Sequence, residues 1–219
     1  MCIRDRDVAA EFINGRPNDN IGITLFAGET FTQCPLTVDH AVLLDMIHNI
    51  KCGLITDGTA VGMGIANAVT RLKDSKAKSK VIILLTDGTN NKGDISPMTA
   101  AEIAKSFGIR VYTIGVGTNG MAPYPYPVGN TVQYVSMPVE IDEKTLTEIA
   151  GTTDGNYFRA TSNSKLKEVY EEIDKLEKTK LNVKEYSKRD EEYHWFALAA
   201  FLCVLLEVLL RNSVLKKIP

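Results

Sequence analysis

Apolar positions along this chain fall into two rhythms. Val81-Ile82-Ile83-Leu84-Leu85 is an unbroken apolar run closed by Thr86-Asp87-Gly88. Its length and closing turn residues predict a strand over 80–86, buried on both faces. Arg110–Val116 predicts a second such strand. Residues 21–27 alternate apolar with small or polar side chains and are followed by Gly28-Glu29 and a short run over 30–34, which predicts an antiparallel edge hairpin. Helical spacing groups Val8, Ala9, Phe12 and Ile13 in the last turns of one helix. It groups Val42, Leu43, Met46 and Ile47 as the buried stripe of another, capped by Asp39 and running to about Ile50. Further helices are predicted over 59–72, 97–107, 142–150 and 164–176, and a short strand over 156–159. Pro97 suits a first helical turn and Gly108 the position just past a helix end. The stretch 117–138, with Tyr124-Pro125-Tyr126-Pro127, reads as a long surface excursion. Strands alternating with helices imply a parallel sheet with helices on both faces.

Composition narrows the function classes. The 219 residues, 44% hydrophobic and 24% charged, suffice for one α/β domain and an appendage. A net charge of −2 provides no electrostatic footprint for nucleic acid. Cys2, Cys34, Cys52 and Cys203 form no C-x-x-C pair and no metal-ligand spacing. Free thiols are expected, and a Cys34–Cys52 disulfide stays open at this point. With only His40, His48 and His194, a histidine zinc site or a Ser-His-Asp triad is poorly supplied.

The C-terminal region departs from this pattern. Every residue from Trp195 to Leu206 is apolar, Glu207 interrupts, and Val208-Leu209-Leu210 precede Arg211. Tyr193, His194 and Trp195 flank the run on one side and Arg211, Lys216 and Lys217 on the other. The expectation is a transmembrane helix over 193–211, reached by a charged stalk, helical or extended, over 177–192 and followed by a basic tail over 212–219. Basic residues flank the run on both sides, so its orientation is not fixed by charge.

Candidate chemistry lies in two loops. Asp57-Gly58-Thr59-Ala60 precedes a helix, and Asp87-Gly88 ends the buried strand. Brought together at the C-terminal edge of a parallel sheet, where such folds bind ligands, Thr59 and Asp87 would present a hydroxyl and a carboxylate to a hard cation. The competing readings are that Thr59 is a helix N-cap and Asp87 an ordinary turn residue. Gly115-Val116-Gly117-Thr118-Asn119-Gly120 matches G-x-G-x-x-G after a strand, which offers a remote alternative, a nucleotide-binding enzyme. That motif requires a helix to open at its third glycine, and Met121-Ala122-Pro123 opposes one.

Three segments resemble the von Willebrand factor A domain, a doubly wound α/β fold: Gly58-Thr59-Ala60 with its glycine-spaced helix, 81–88, and 109–117. Residues 138–142 and 157–160, and the tail Leu205–Asn212 with its ending Lys217-Ile218-Pro219, are similar to the Bat (Bacteroides aerotolerance) subfamily, most of all to its BatA members. The resemblance implies a partial A domain over 7–176, a binding role and no enzymatic one. By resemblance, Thr59 and Asp87 belong to a metal-ion-dependent adhesion site that holds Mg2+ or Ca2+ and accepts a partner's carboxylate. It further implies other A-domain proteins as partners, in a complex at the bacterial inner membrane linked to aerotolerance or stress, with the domain in the periplasm. A metal-independent interaction protein with a degenerate site is the alternative. The family's first loop, Asp-x-Ser-x-Ser after a first strand, is not found in this chain, and residues 1–6 read as an adventitious start. The expected fold is therefore a doubly wound, mostly parallel sheet lacking its first strand, with weak or no metal binding and a tendency to unfold or aggregate.

Overall fold

The computed structural model describes residues 3–50, 55–117, 120–128, 131–139 and 141–185, with 198, 200–204, 206–208 and 210 beyond them. For 3–5, 120–128, 131–139 and 179–185 only the backbone is described. The chain divides into two compact units, Met1–Lys178 and Thr179–Pro219.

The elements run α1 (Ile3–Asn14), β1 (Ile21–Phe26), β2 (Thr30–Thr37), α2 (His40–His48), α3 (Val61–Leu72), β3 (Val81–Thr86), α4 (Pro97–Ser106), β4 (Arg110–Val116), β5 (Gly120–Val128), β6 (Thr131–Val139), α5 (Glu143–Thr152), β7 (Tyr157–Ala160) and α6 (Asn163–Glu185). Helix starts follow local capping chemistry. Asp39, Ser96 and Asp142 each accept a hydrogen bond from a backbone N–H three residues on, at 3.2, 3.1 and 3.0 Å. Bonds from the Thr145 hydroxyl and amide hold the Asp142 carboxyl below its ordinary value.

β3, β4 and β7 form a parallel sheet in the order β3-β4-β7. Ile82, Leu84, Ile109 and Val111 pack with α3, α4 and α5 on one face. Tyr112 and Ile114, with the half-buried Val81, Ile83 and Leu85, pack with α6 and with Val8 and Phe12 of α1 on the other. The hairpin β1-β2 is a separate two-stranded sheet. Ile21, Ile23 and Cys34 share a third core with Ile13 of α1 and with Leu43 and Ile47 of α2. Phe26 joins the first core, against Gly64 of α3. The layered α/β arrangement is the expected one. β1 and β3 do not pair directly, so each lies at the edge of its own sheet. The expectation of aggregation rests on those two edges.

At the sheet's N-terminal edge, Glu177 of α6 is 4% exposed. Arg110 Nε donates to its Oε1 at 2.9 Å, Tyr112 Oη to Oε1 at 2.7 Å and Ser79 Oγ to Oε2 at 2.8 Å. Arg110 Nη2 also pairs with Oε2. Burial by itself would raise the Glu177 carboxyl. The bonds from Arg110, Tyr112 and Ser79, with the Arg110 charge, outweigh it and hold the group below its ordinary value.

Several expectations are revised. Val42 is 45% exposed, so α2 buries only Leu43 and Ile47 of the proposed stripe. The excursion over 117–138 contains an antiparallel ribbon, β5-β6, with Tyr124 opposite Val135 and Tyr126 opposite Gln133. α6 continues past Leu176, the expected helix end, to Glu185, within the stretch read as a helical or extended stalk. Cys34 is a free, buried thiol, whereas Cys2 and Cys52 lie outside the described residues.

The transmembrane helix over 193–211 is not supported, and the fold class is corrected accordingly. Among the described residues no helix is long and apolar enough to cross a membrane. The positions described as helical there run from 198 to 210 and include Glu207. A membrane-crossing helix needs about 20 consecutive, mainly apolar residues, and no helix among the described residues combines that length and apolarity. The inner-membrane localisation through a single C-terminal span is withdrawn on the same finding. The basic tail over 212–219 lies outside the described residues.

Candidate functional site

Asp87 follows the last residue of β3, at the C-terminal edge of the parallel sheet, and is exposed. The turn is folded by the buried Thr86, whose hydroxyl donates to the Gly88 carbonyl at 3.2 Å and receives the Gly88 N–H at 3.4 Å. The loop before α3 lies against this turn. A β-carbon placed on Gly88 would stand 3.4 Å from Thr59 Oγ1, so the Thr59 hydroxyl sits beside the peptide that follows Asp87. Thr59 is not the cap of α3. Ala60 holds that position, and no side chain of its own caps the helix.

The 55–60 loop is clamped on two sides. From the β1-β2 turn, the Ala27 carbonyl accepts the Ala60 N–H at 2.7 Å, and the Gly28 N–H donates to the Thr56 carbonyl at 2.8 Å. From the β3-α4 loop, Asn91 Oδ1 accepts the Thr59 N–H at 2.8 Å and Asn90 Oδ1 the Val61 N–H at 2.9 Å. The Thr59 carbonyl in turn accepts the N–H groups of Asn91 and Lys92, at 3.0 and 3.3 Å. Gly58 has a φ of +142°, which an L side chain rarely adopts, and a β-carbon there would meet the Lys92 stem at 2.6 Å. Sequence reading missed Asn90, Asn91 and Thr86. The one available signal was the adjacency of Asn90-Asn91 to Asp87-Gly88 in the same polar loop.

A hydroxyl and a carboxylate are hard oxygen donors and suit Mg2+ or Ca2+ in kind. In number they fall short of the six or so oxygens such an ion takes. Among the described residues no group of three or more His, Cys, Asp or Glu is placed to hold a metal. The glycine motif at 115–120 leads into β5 rather than a helix. The helix N-terminus that a dinucleotide pyrophosphate needs does not follow its third glycine.

The sequence model of the von Willebrand factor type A domain matches residues 6–172. An uncharacterised protein of Borreliella burgdorferi is 26% identical over 214 residues, covering 97% of this chain and 63% of that protein. The chain spans about half to just under two thirds of the length of the curated relatives it matches. Among solved structures, the conserved hypothetical protein BatB of Bacteroides thetaiotaomicron aligns with a TM-score of 0.68 at 32% identity, over 79% of this chain and 86% of that one. An aerotolerance-related membrane protein of Bacteroides fragilis aligns with a TM-score of 0.68 at 28% identity, over 78% and 85%. The chain belongs to the von Willebrand factor type A domain family, with Bat-type, aerotolerance-related proteins as its relatives there.

Proposed function

We propose that the chain is a non-enzymatic interaction domain, and that it contacts other A-domain proteins of a Bat-type complex through the rim carrying Thr59 and Asp87. In this reading a divalent cation, Mg2+ or Ca2+, mediates the contact. Thr59 Oγ1 and the Asp87 carboxylate are the two ligands this chain supplies. When bound, such an ion provides positive charge and a coordination position open to a partner's Asp or Glu. The supporting observation is the placement of the Thr59 hydroxyl beside the Asp87-Gly88 turn, with helix capping left to other groups.

Mn2+ titration of the full chain, followed by electron paramagnetic resonance, tests the metal. Weak, saturable binding that disappears in Asp87→Ala and is weakened in Thr59→Ala is the expected result. A second reading, interaction without any metal, is favoured by the shortage of donors among the described residues. Identical titrations for wild type and Asp87→Ala would leave that second reading standing.

A further inference from the structure

α3 begins without a cap of its own. Ala60 is its N-cap residue and has no side-chain acceptor. Three successive amides, those of Thr59, Ala60 and Val61, are nevertheless satisfied, all by groups distant in sequence. Asn91 is bound to Thr59 at two points. Its side chain accepts the Thr59 N–H at 2.8 Å, and its own N–H donates to the Thr59 carbonyl at 3.0 Å. Asn90 takes the next orphan amide, that of Val61, whose side chain is buried in the first core. Asn90 and Asn91 themselves are exposed. Exposed asparagines contribute little burial, so their hydrogen bonds are their main structural effect.

From this we infer that Asn91, seconded by Asn90, is the positioning residue of the Thr59–Asp87 site. It fixes both backbone groups of Thr59 to the loop that carries Asp87. The hydroxyl and the carboxylate then move as one body and meet a cation without a further ordering penalty. Asn91 is not itself a ligand in this account, since its Oδ1 is engaged by the Thr59 amide. The inference rests on the metal reading above, and its test keeps the two separable.

Asn91→Ala, Asn91→Asp and Asp87→Ala are compared by amide hydrogen exchange in cation-free protein and by Mn2+ affinity. In Asn91→Ala, exchange at the Thr59 amide should rise about tenfold, the weight of one hydrogen bond, and Mn2+ affinity should fall by a similar factor. The melting temperature should stay within a few degrees, because the side chain is exposed. Asn91→Asp retains the acceptor oxygen, so Thr59 exchange should return to the wild-type rate and Mn2+ should bind at least as tightly as to wild type. Unchanged exchange at Thr59 in Asn91→Ala overturns the positioning role, whatever the metal does. Slowed-exchange protection lost without any change in Mn2+ affinity also overturns it. If Asp87→Ala binds Mn2+ as wild type does, the metal reading fails instead, and Asn91 is judged on Thr59 exchange alone.

Discussion

Glu177 is a single residue whose environment reverses the reading of its sequence. In the chain it opens a mixed-charge stretch, Glu177-Lys178-Thr179-Lys180, and reads as part of a charged stalk. In the fold it is the buried acceptor of Arg110, Tyr112 and Ser79. Arg110 lies 67 residues away, so no local pattern announces the pair. Glu177→Gln removes the charge opposite a partly buried guanidinium and is expected to cost about 3 kcal/mol in urea unfolding. The pH dependence has a definite sign. The folded carboxyl is held below its ordinary value, so its contribution is present above the unfolded pKa of about 4.3 and is lost as pH falls through the folded value. Wild type should therefore lose stability below about pH 4.3 more steeply than Glu177→Gln. Equal acid sensitivity of the two would discount the pair. Tyr112 behaves in the opposite sense: burial, then its bond to Glu177, raises the phenol. The candidate site residues were easier to single out than this cluster. Thr59 and Asp87 stand in short motifs whose glycine spacing and strand ending are local. The asparagines that join their loops carry no such signature, because their partners lie 29 and 32 residues away.

Among the elements, α3 depends most on what it lacks. Gly62 faces the chain just before α4, and a β-carbon there would stand 2.1 Å from the Ile95 carbonyl oxygen. A backbone atom cannot yield as a side chain does. Gly62→Ala should therefore push α3 off the start of α4 and destabilise the fold by about 3 kcal/mol, the upper end for overpacking. Thermal unfolding would measure it, and a loss near zero would mean that the two elements separate freely. Most helices and the parallel strands were legible because capping residues and apolar runs are local signals. The β5-β6 ribbon was not. Pro123, Pro125 and Pro127 alternate along β5. Proline normally argues against a strand, since it donates no ladder bond. Alternation removes the conflict: all three proline nitrogens point to one edge of the strand, which leaves Ala122, Tyr124 and Tyr126 to bond with β6. The outer edge of β5 is thereby short of donors, a protection against further pairing.

In the whole molecule, family and layered fold were readable, while the C-terminal span was not supported. An apolar run over 195–206 resembles a membrane segment in composition, but crossing depends on a helix both long and apolar, and none is found among the described residues. The separation of the β1-β2 hairpin from the β3-β4-β7 sheet has a consequence for how the molecule forms. α3, β3, α4, β4, α5 and β7 assemble around one core from a contiguous part of the chain, 61–160, while the β1-β2 hairpin, Phe26 apart, shares a separate core with α1 and α2. Local assemblies close at small entropic cost and tend to come first. The transition state for folding should accordingly contain the first and not yet the second. Val111→Ala, in the central strand, should slow folding, whereas Leu43→Ala, in the hairpin's core, should chiefly hasten unfolding. Stopped-flow chevrons with those two assignments exchanged would mean that the hairpin is the nucleus on which the parallel sheet condenses.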